Sequence, residues 1–381
     1  MDRLWTKPFF LMTIGMLFLF TSFYLLVPTL PLFIKQLGGS ESQIGLAVGM
    51  FTLSAVIFRP IVGGLLDRYG RRPFIVSGLL FFGLSMYLYG WVGGIVVLMA
   101  LRVLHGASWA FSTTAVGTAI TDIIPPSRRG EGLGWFGMAM TVAMAIGPLL
   151  GIWVLWNYSF NGLFLFGTIL SAAAMLLALM TKTPFQPKAA AGRIDFIEKS
   201  VLSIMAAIFF MAVAYGGIIT FLPLFAESVK VNPGTFFLVY AATLTIIRPI
   251  TGKLSDRYGE VFVVVPALTV TIAALLVLSL SNGLYGMIAS SVLFGIGIGS
   301  AQPALQSATL SLVRPNRAGA ANASFMTAFD LGIGLGAIML GWVSQYTGYQ
   351  VLFLVAAASV AISLLIFTVF VSRLLRYRTA N

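Results

Sequence analysis

Twelve apolar runs, most of them about 20 residues or longer, constrain this chain more than any other feature of its 381 residues. They fall near 8–35, 42–66, 73–92, 94–119, 130–156, 160–181, 201–226, 234–252, 260–280, 284–312, 319–343 and 348–372. A buried strand needs only about 4 to 8 apolar residues, and a strand of an outer-membrane barrel alternates apolar with polar. These runs do neither, and about 20 apolar residues as a helix match the roughly 30 Å hydrocarbon core of a bilayer. A chain in lipid must satisfy its backbone polar groups internally, so helices are the spanning element. Composition agrees: 59% of residues are hydrophobic and 9% charged, against roughly 25% charged in soluble domains. The fold class expected is an all-α membrane protein of twelve transmembrane helices.

The net charge of +12 raises the question of nucleic acid, and the placement of the 23 basic residues answers it. Eighteen lie on alternate breaks, at Arg3, Lys7, Arg68, Arg71, Arg72, Arg128, Arg129, Lys182, Lys188, Arg193, Lys199, Lys253, Arg257, Arg314, Arg317, Arg373, Arg376 and Arg378. The intervening breaks keep two, Lys35 and Lys230, while Arg59, Arg102 and Arg248 fall inside apolar runs. By the positive-inside rule this asymmetry puts both termini in the cytoplasm of a multi-pass cell (inner) membrane protein. The bilayer is then the macromolecular partner and nucleic acid is not expected. The absence of cysteine removes disulfides and thiolate metal sites. The first run is too long for a cleaved signal peptide and reads as the first helix.

The stretch 182–200 is too polar to span and reads as a cytoplasmic linker between an N-terminal bundle, 1–181, and a C-terminal bundle, 201–381. An internal repeat supports that division. At an offset of 189, Arg59, Pro60, Ile61, Gly63, Asp67, Arg68, Tyr69 and Gly70 fall on Arg248, Pro249, Ile250, Gly252, Asp256, Arg257, Tyr258 and Gly259. Gly106, Arg128, Gly130 and Gly147 fall on Gly295, Arg317, Gly319 and Gly336 in the same register. Pro31 to Phe33 match Pro223 to Phe225 at an offset of 192. Two six-helix halves with an even helix number share one orientation, related by an axis along the membrane normal.

The break after the second run reads GGLLDRYGRR, Gly63 to Arg72. With this loop the chain resembles the major facilitator superfamily. The resemblance implies two pseudo-symmetric six-helix bundles, transport of a small molecule by alternating access, no cofactor and no resident metal. It also implies that Gly63 lets helix 2 approach helix 11, that Asp67 faces a helix N-terminus, where a carboxylate gains roughly 0.3 to 1 kcal/mol, and that the arginines meet acidic partners. Gly63, Asp67, Arg68, Gly70, Arg71 and Arg72 would then form a gate, with Asp122 as the partner of Arg71. The second copy, GKLSDRYGEV, keeps Asp256 and Arg257 but has Glu260 in place of Arg71, which predicts a weaker second gate. The plain alternative is that these charges only set topology.

Helix 4 contains LRVLHGASWAF, in which Arg102, His105 and Trp109 share one face. Arg102 matches an arginine carried by the superfamily's drug:proton antiporters. An arginine in lipid is costly, so it should face the bundle interior and is a functional candidate. His105, the single histidine, suits proton handling or a satisfied packing role equally. Helix 5 carries AMAIGPLLG, and Gly147, Pro148 and Gly151 resemble the antiporters' Gly-Pro signature, although Ala143 and Ile152 stand where glycine is common. Small residues there would let helix 5 pack closely on a partner from the other half.

Asp330, in SFMTAFDLGIGLG, is the one acidic residue deep inside a run. A desolvated carboxylate can bind and release a proton, with substrate or Arg102 competing for the charged form, and counting along the helices sets Arg102 and Asp330 at similar depths. The alternative is a structural ion pair. If the family fold holds, helices 1, 4, 7 and 10 line the cavity, pointing to Tyr24, Trp109, Tyr215, Gln302 and Gln306. Aromatic and amide groups with one acid suit amphipathic, often cationic compounds. The expectation is a monomeric proton-driven exporter of small amphipathic molecules. A proton symporter for uptake is the runner-up, a non-transporting sensor is remote, and a membrane enzyme lacks the clustered acids, bases or ligands its chemistry needs.

Overall fold

The structure, a computed structural model, describes residues 3–125, 128–181, 198–313 and 317–379, without the side chains at 67, 129–130, 318–320 and 376–379. The chain is helical nearly throughout. The helices are α1 Lys7–Gln36, α2 Glu41–Tyr69, α3 Arg72–Leu88, α4 Ile95–Ile123, α5 Arg129–Asn157, α6 Phe160–Leu179, α7 Leu202–Ser228, α8 Pro233–Tyr258, α9 Glu260–Ser279, α10 Leu284–Ser311, α11 Ala318–Thr347 and α12 Tyr349–Ile366. A π-helical turn, Phe367–Val371, joins α12 to a short α13, Ser372–Thr379. Twelve of the helical segments are long and apolar enough to cross a membrane.

The helices run past the apolar breaks where the sequence suggested they end. α2 and α8 continue through the DRY triplets to Tyr69 and Tyr258, because leaving the hydrocarbon does not remove the advantage of intrahelical hydrogen bonds. What stops them is glycine. Gly70 and Gly259 have φ of 86° and 84°, a left-handed conformation that costs a residue with a Cβ about 1–2 kcal/mol. Each N–H still closes onto the helix, Gly70 on Leu66 O at 3.1 Å and Gly259 on Ser255 O at 2.9 Å.

The chain divides into two compact units, Met1–Gly38 with Met50–Arg193, and Gly39–Gly49 with Ile194–Asn381. Of the expected linker, residues 182–197 lie outside the described residues. In the first unit α1 packs against α5 and α6, and α3 against α4 and α6. In lipid there is no hydrophobic gain in bringing helices together, so close approach and interhelical hydrogen bonds must hold them. A Cβ on Gly151 would lie 2.5 Å from Leu25 O, and one on Gly78 would lie 2.5 Å from Ser112 N. Ser22 donates to Gly167 O at 2.8 Å, and Ser54 to Val103 O at 2.7 Å.

The second unit repeats the plan: α7 packs on α11 and α12, and α10 on α8 and α9. Cβ atoms on Gly332 and Gly336 would lie 2.5 Å from Phe209 O and Val213 O. Ser359 and Ser363 on α12 donate to Phe210 O and Ala207 O of α7, both at 2.7 Å. The segment Gly39–Gly49, the start of α2, also belongs here. Its Ser42 N–H donates to Gln345 Oε1 at 3.2 Å, and a Cβ on Gly341 of α11 would lie 2.8 Å from Glu41 O.

The repeat is visible in packing as well as sequence. Gly106 of α4 sits on the backbone of Phe51, where its Cβ would lie 3.0 Å from Phe51 Cα, and its counterpart Gly295 of α10 sits on Tyr240 O at 3.1 Å. Phe51 and Tyr240 are themselves one repeat apart.

Candidate functional site

Three groups of predicted residues are brought together, two in the first unit and one in the second. The first lies where α4 meets α2 and α3. Arg102 is 3% exposed, sits over the Phe51 ring with its guanidinium carbon 4.3 Å from the centroid, and donates from Nη1 to the Tyr89 hydroxyl at 3.3 Å. Tyr89 lies in turn 3.0 Å from Nδ1 of His105. A guanidinium can only donate, so the phenol accepts from Arg102, while its bond to Nδ1 runs in the direction the imidazole tautomer sets. Nε2 has no hydrogen-bond partner among the described residues. Phe82 and Phe51 close the imidazole in, with ring centroids 4.4 and 5.2 Å away. Trp109, on the same face of α4, is buried against Phe23 at 4.5 Å and Phe20 at 4.7 Å.

Tyr89 is the residue the sequence did not single out. An aromatic side chain near the end of an apolar run looks like an interfacial anchor, and only the fold turns it inward between Arg102 and His105. At about 1.5 Å per residue, Arg102 is roughly 10 Å from the start of α4 and Asp330 roughly 18 Å from the start of α11.

The second group is the predicted gate at the α2–α3 turn. Arg71, 5% exposed, donates from Nε to Asp122 Oδ2 at 2.9 Å and from Nη1 to Leu66 O at 2.9 Å. Arg72 reaches Leu179 O at 3.4 Å. Arg68 is exposed and lies over the neighbouring Tyr69 ring at 5.2 Å, and in the second copy Arg257 lies over Tyr258 at the same distance. The Asp67 side chain lies outside the described residues, and Asp256 is exposed. A Cβ on Gly63 would meet nothing within 4 Å. The glycines of α2 that do abut α11 are Gly45 and Gly49 at its other end; a Cβ on Gly45 would lie 3.2 Å from Ile338 Cα. In the second copy no buried arginine occupies the position of Arg71. Glu260 there accepts from the Ser307 hydroxyl at 3.1 Å in an exposed setting.

The helix 5 glycines correct a second expectation. Gly147 and Gly151 pack on α1 of their own unit, at Tyr24 and Leu25, so the small residues serve a contact within the first unit. Pro148 is buried and α5 runs through it without interruption.

The third group lies in the second unit. Tyr215 of α7 is buried and stacks on Phe329 of α11 at 5.8 Å and on Phe294 of α10 at 6.4 Å. Its hydroxyl is hydrogen-bonded to Tyr240 of α8 and lies within electrostatic reach of Arg248. Asp330, next to Phe329, is half-buried. Gln306 donates to Asn322 Oδ1 at 2.8 Å across α10 and α11, and Gln302 is half-buried one turn earlier. Tyr24 in the first unit is half-buried beside Phe23. An apolar crevice in that unit, lined by Leu11, Met16, Leu79, Val116 and Ala174 among others, contains none of the predicted cavity residues.

Two six-helix units with charged groups held within membrane-spanning helices define a multi-pass membrane protein. The sequence profile of the Major Facilitator Superfamily matches residues 12–337 and 233–380, and the chain belongs to that family. Its members are transporters of small molecules and not enzymes. The chain is 25% identical over 378 residues to a staphylopine export protein of Staphylococcus aureus, covering 93% of this chain and 94% of that one. It is 27% identical over 372 residues to the multi-drug resistance efflux pump PmrA of Streptococcus pneumoniae, covering 90% and 91%. Among solved structures it is similar to a bacterial homolog of the human lysosomal transporter Spinster, with a TM-score of 0.79, 18% identity and 96% of each chain covered.

Proposed function

We propose that this protein is a proton-coupled exporter of small amphipathic molecules, working by alternating access in the cytoplasmic membrane with both termini inside. The observation that carries the coupling is Asp330, a single carboxylate in the middle of a membrane-spanning helix, with every other acidic residue among the described ones at or beside a helix end. An ionisable group at that depth is expensive to keep unless it does something. A carboxylate that is neutral when protonated and needs a countercharge when ionised gives the cycle two states that a proton gradient can drive. Arg102 enters this reading as a fixed charge, and His105, through Tyr89, as the group that holds it in place. The names of the export and efflux relatives support the outward direction, as do Gly147, Pro148 and Gly151 in the pattern of the antiporters.

One observation favours a second reading. The interiors of the spans carry Arg59, Arg102 and Arg248 against Asp330 alone. A surplus of cations suits an acidic substrate. Such a substrate would bind together with the proton that neutralises Asp330, which is the logic of uptake by symport.

The test is substrate-evoked proton movement in proteoliposomes under an imposed pH gradient, with cationic, neutral and acidic amphipathic compounds offered to the wild type and to Asp330→Asn. Proton movement opposite to that of a compound, lost in the variant, is the expected result. Movement in the same direction would replace export with uptake, and full coupling in the variant would remove Asp330 from the mechanism.

A further inference from the structure

We propose that Arg248 is the countercharge of Asp330, the cation that holds its carboxylate once the proton has left. This rests on the reading of Asp330 as the proton carrier and assigns its partner within the second unit.

Depth is the first argument. Arg248 lies about 15 Å from the C-terminal end of α8, and Asp330 about 18 Å from the N-terminal end of α11, at about 1.5 Å per residue. Those two ends share one side of the membrane, because α9 and α10 each cross once between them. The two residues therefore lie at nearly the same level in one unit, both half-buried.

Tyr215 supplies the lateral argument. Its ring stacks on Phe329, the residue before Asp330, at 5.8 Å. Its hydroxyl is bonded to Tyr240, two turns from Arg248 on α8, and Arg248 is the cation nearest to it in charge effect. One buried side chain on α7 thus touches the neighbourhoods of both charges.

Within the second unit the other elements packed on α11 offer no rival: the start of α2 carries Glu41 alone, at its first residue, and the turn before α7 carries Glu198 and Lys199 beside the first turn of α11. α7 carries Tyr215 and, at its far end, Glu227; α10 carries Tyr285 alone, and α12 Tyr349 alone, both at their first turns. On α8 the remaining ionisable groups are Tyr240 and those of the last two turns, Lys253, Asp256, Arg257 and Tyr258. Arg102 is engaged with Tyr89 and Phe51 in the first unit. The chemistry fits an arginine: its guanidinium stays charged in an apolar setting and can take a carboxylate through two donors at once. The repeat adds a control, since Arg59 occupies the same register in the first unit while the counterpart of Asp330 there is Thr141.

The experiment follows the carboxylic-acid carbonyl band of Asp330 by infrared spectroscopy as a function of pH. The intact protein is reconstituted in liposomes, and the Asp330→Asn spectrum is subtracted to isolate the group. Arg248→Gln and Arg248→Met are both made, so that a folding defect in one does not end the test, and Arg248→Lys serves as the conservative rescue. The expected result is an alkaline displacement of the titration midpoint by about one pH unit or more in the neutral variants, tenfold in proton affinity, with most of it restored by lysine. The same displacement in Arg59→Gln, or a midpoint in Arg248→Gln equal to that of the wild type, overturns the pairing while leaving Asp330 as carrier. A spectrum in which no band titrates that Asp330→Asn removes, in either background, takes down the carrier reading and the pairing together.

Discussion

The Tyr89 hydroxyl sits 3.0 Å from Nδ1 of His105 while it accepts from Arg102, joining a permanent cation to an imidazole through one phenol. Replacing it with phenylalanine keeps the ring in its site and removes only the oxygen. His105 then loses the partner of Nδ1, and Arg102 loses an acceptor, both inside a buried cluster. Tyr89→Phe should cost about 1–3 kcal/mol, the range for leaving a buried polar group unsatisfied. A lower midpoint of thermal unfolding in detergent is the expected outcome. His105→Leu in the same background should cost much less than His105→Leu alone, because the two residues share one interaction. Additive losses would mean that the hydrogen bond contributes nothing.

Two glycines of the family motifs should respond to alanine with opposite signs. At Gly151 a Cβ would meet Leu25 O at 2.5 Å and Leu25 Cα at 3.1 Å. Both contacts are backbone, so α1 and α5 must separate, at about 1–3 kcal/mol. At Gly63 a Cβ meets nothing within 4 Å, and alanine in a helix interior is favoured over glycine by up to about 1 kcal/mol. Thermal midpoints of Gly151→Ala below, and of Gly63→Ala at or above, the wild type are expected. Equal losses would contradict the packing described.

The two copies of the loop motif should differ in the same way. Asp122→Asn removes the charge partner of an arginine that is only 5% exposed. Breaking a fully buried pair costs about 3–5 kcal/mol. Asp122 itself is 31% exposed, and solvent screening lowers the expected loss to about 1–3 kcal/mol. Glu260→Gln, at the equivalent of Arg71, should cost less than about 1 kcal/mol. Unfolding followed by denaturant would rank the two, and a larger effect at Glu260 would reverse the assignment of the strong and weak copies.

The twelve helices and their repeat were legible because lipid imposes a length on every span and the positive-inside pattern orders the breaks. Arg71 and Asp122 could be paired from the sequence for a local reason: each sits at the end of a span, where the family motif fixes which loop it belongs to. The partners of Arg102 could not, because Tyr89 precedes it by 13 residues on another helix and nothing in the sequence distinguishes an inward-turned tyrosine from an anchor at the interface. Gly147 and Gly151 announced a close approach without naming the helix approached. Composition carries the need for small residues, and only the packing of α5 on α1 supplies the address. The partner of Arg317 was equally hidden. Its repeat counterpart Arg128 pairs with Glu131 three residues on, at 2.7 Å, but the repeat places an alanine, Ala320, where that glutamate would be. The second unit recruits Glu198 from far along the chain instead.

That recruited pair makes the last prediction, a pH-dependent one. Glu198 accepts from Arg317 Nε at 2.7 Å and from the Ser200 hydroxyl at 2.8 Å, and its own N–H donates to Ser324 Oγ at 2.9 Å. The Ser200 hydroxyl first, and Arg317 after it, hold the carboxyl below its ordinary value of 4.5. The ionised form is thus favoured in the folded protein. Its stabilising contribution is complete above the unfolded value and disappears as pH falls through the lower, folded one. Docking of the turn Glu198–Val201 against the start of α11 should therefore be unchanged from neutral pH down to about 5 and loosen below about 4. Hydrogen-exchange protection of the Ser200 and Val201 amides reads this directly, since both bond to Glu198, at 3.4 and 3.2 Å. In Glu198→Gln the protection should be lower and flat with pH over the same interval. A variant that kept the wild-type pH dependence would place the titrating group elsewhere.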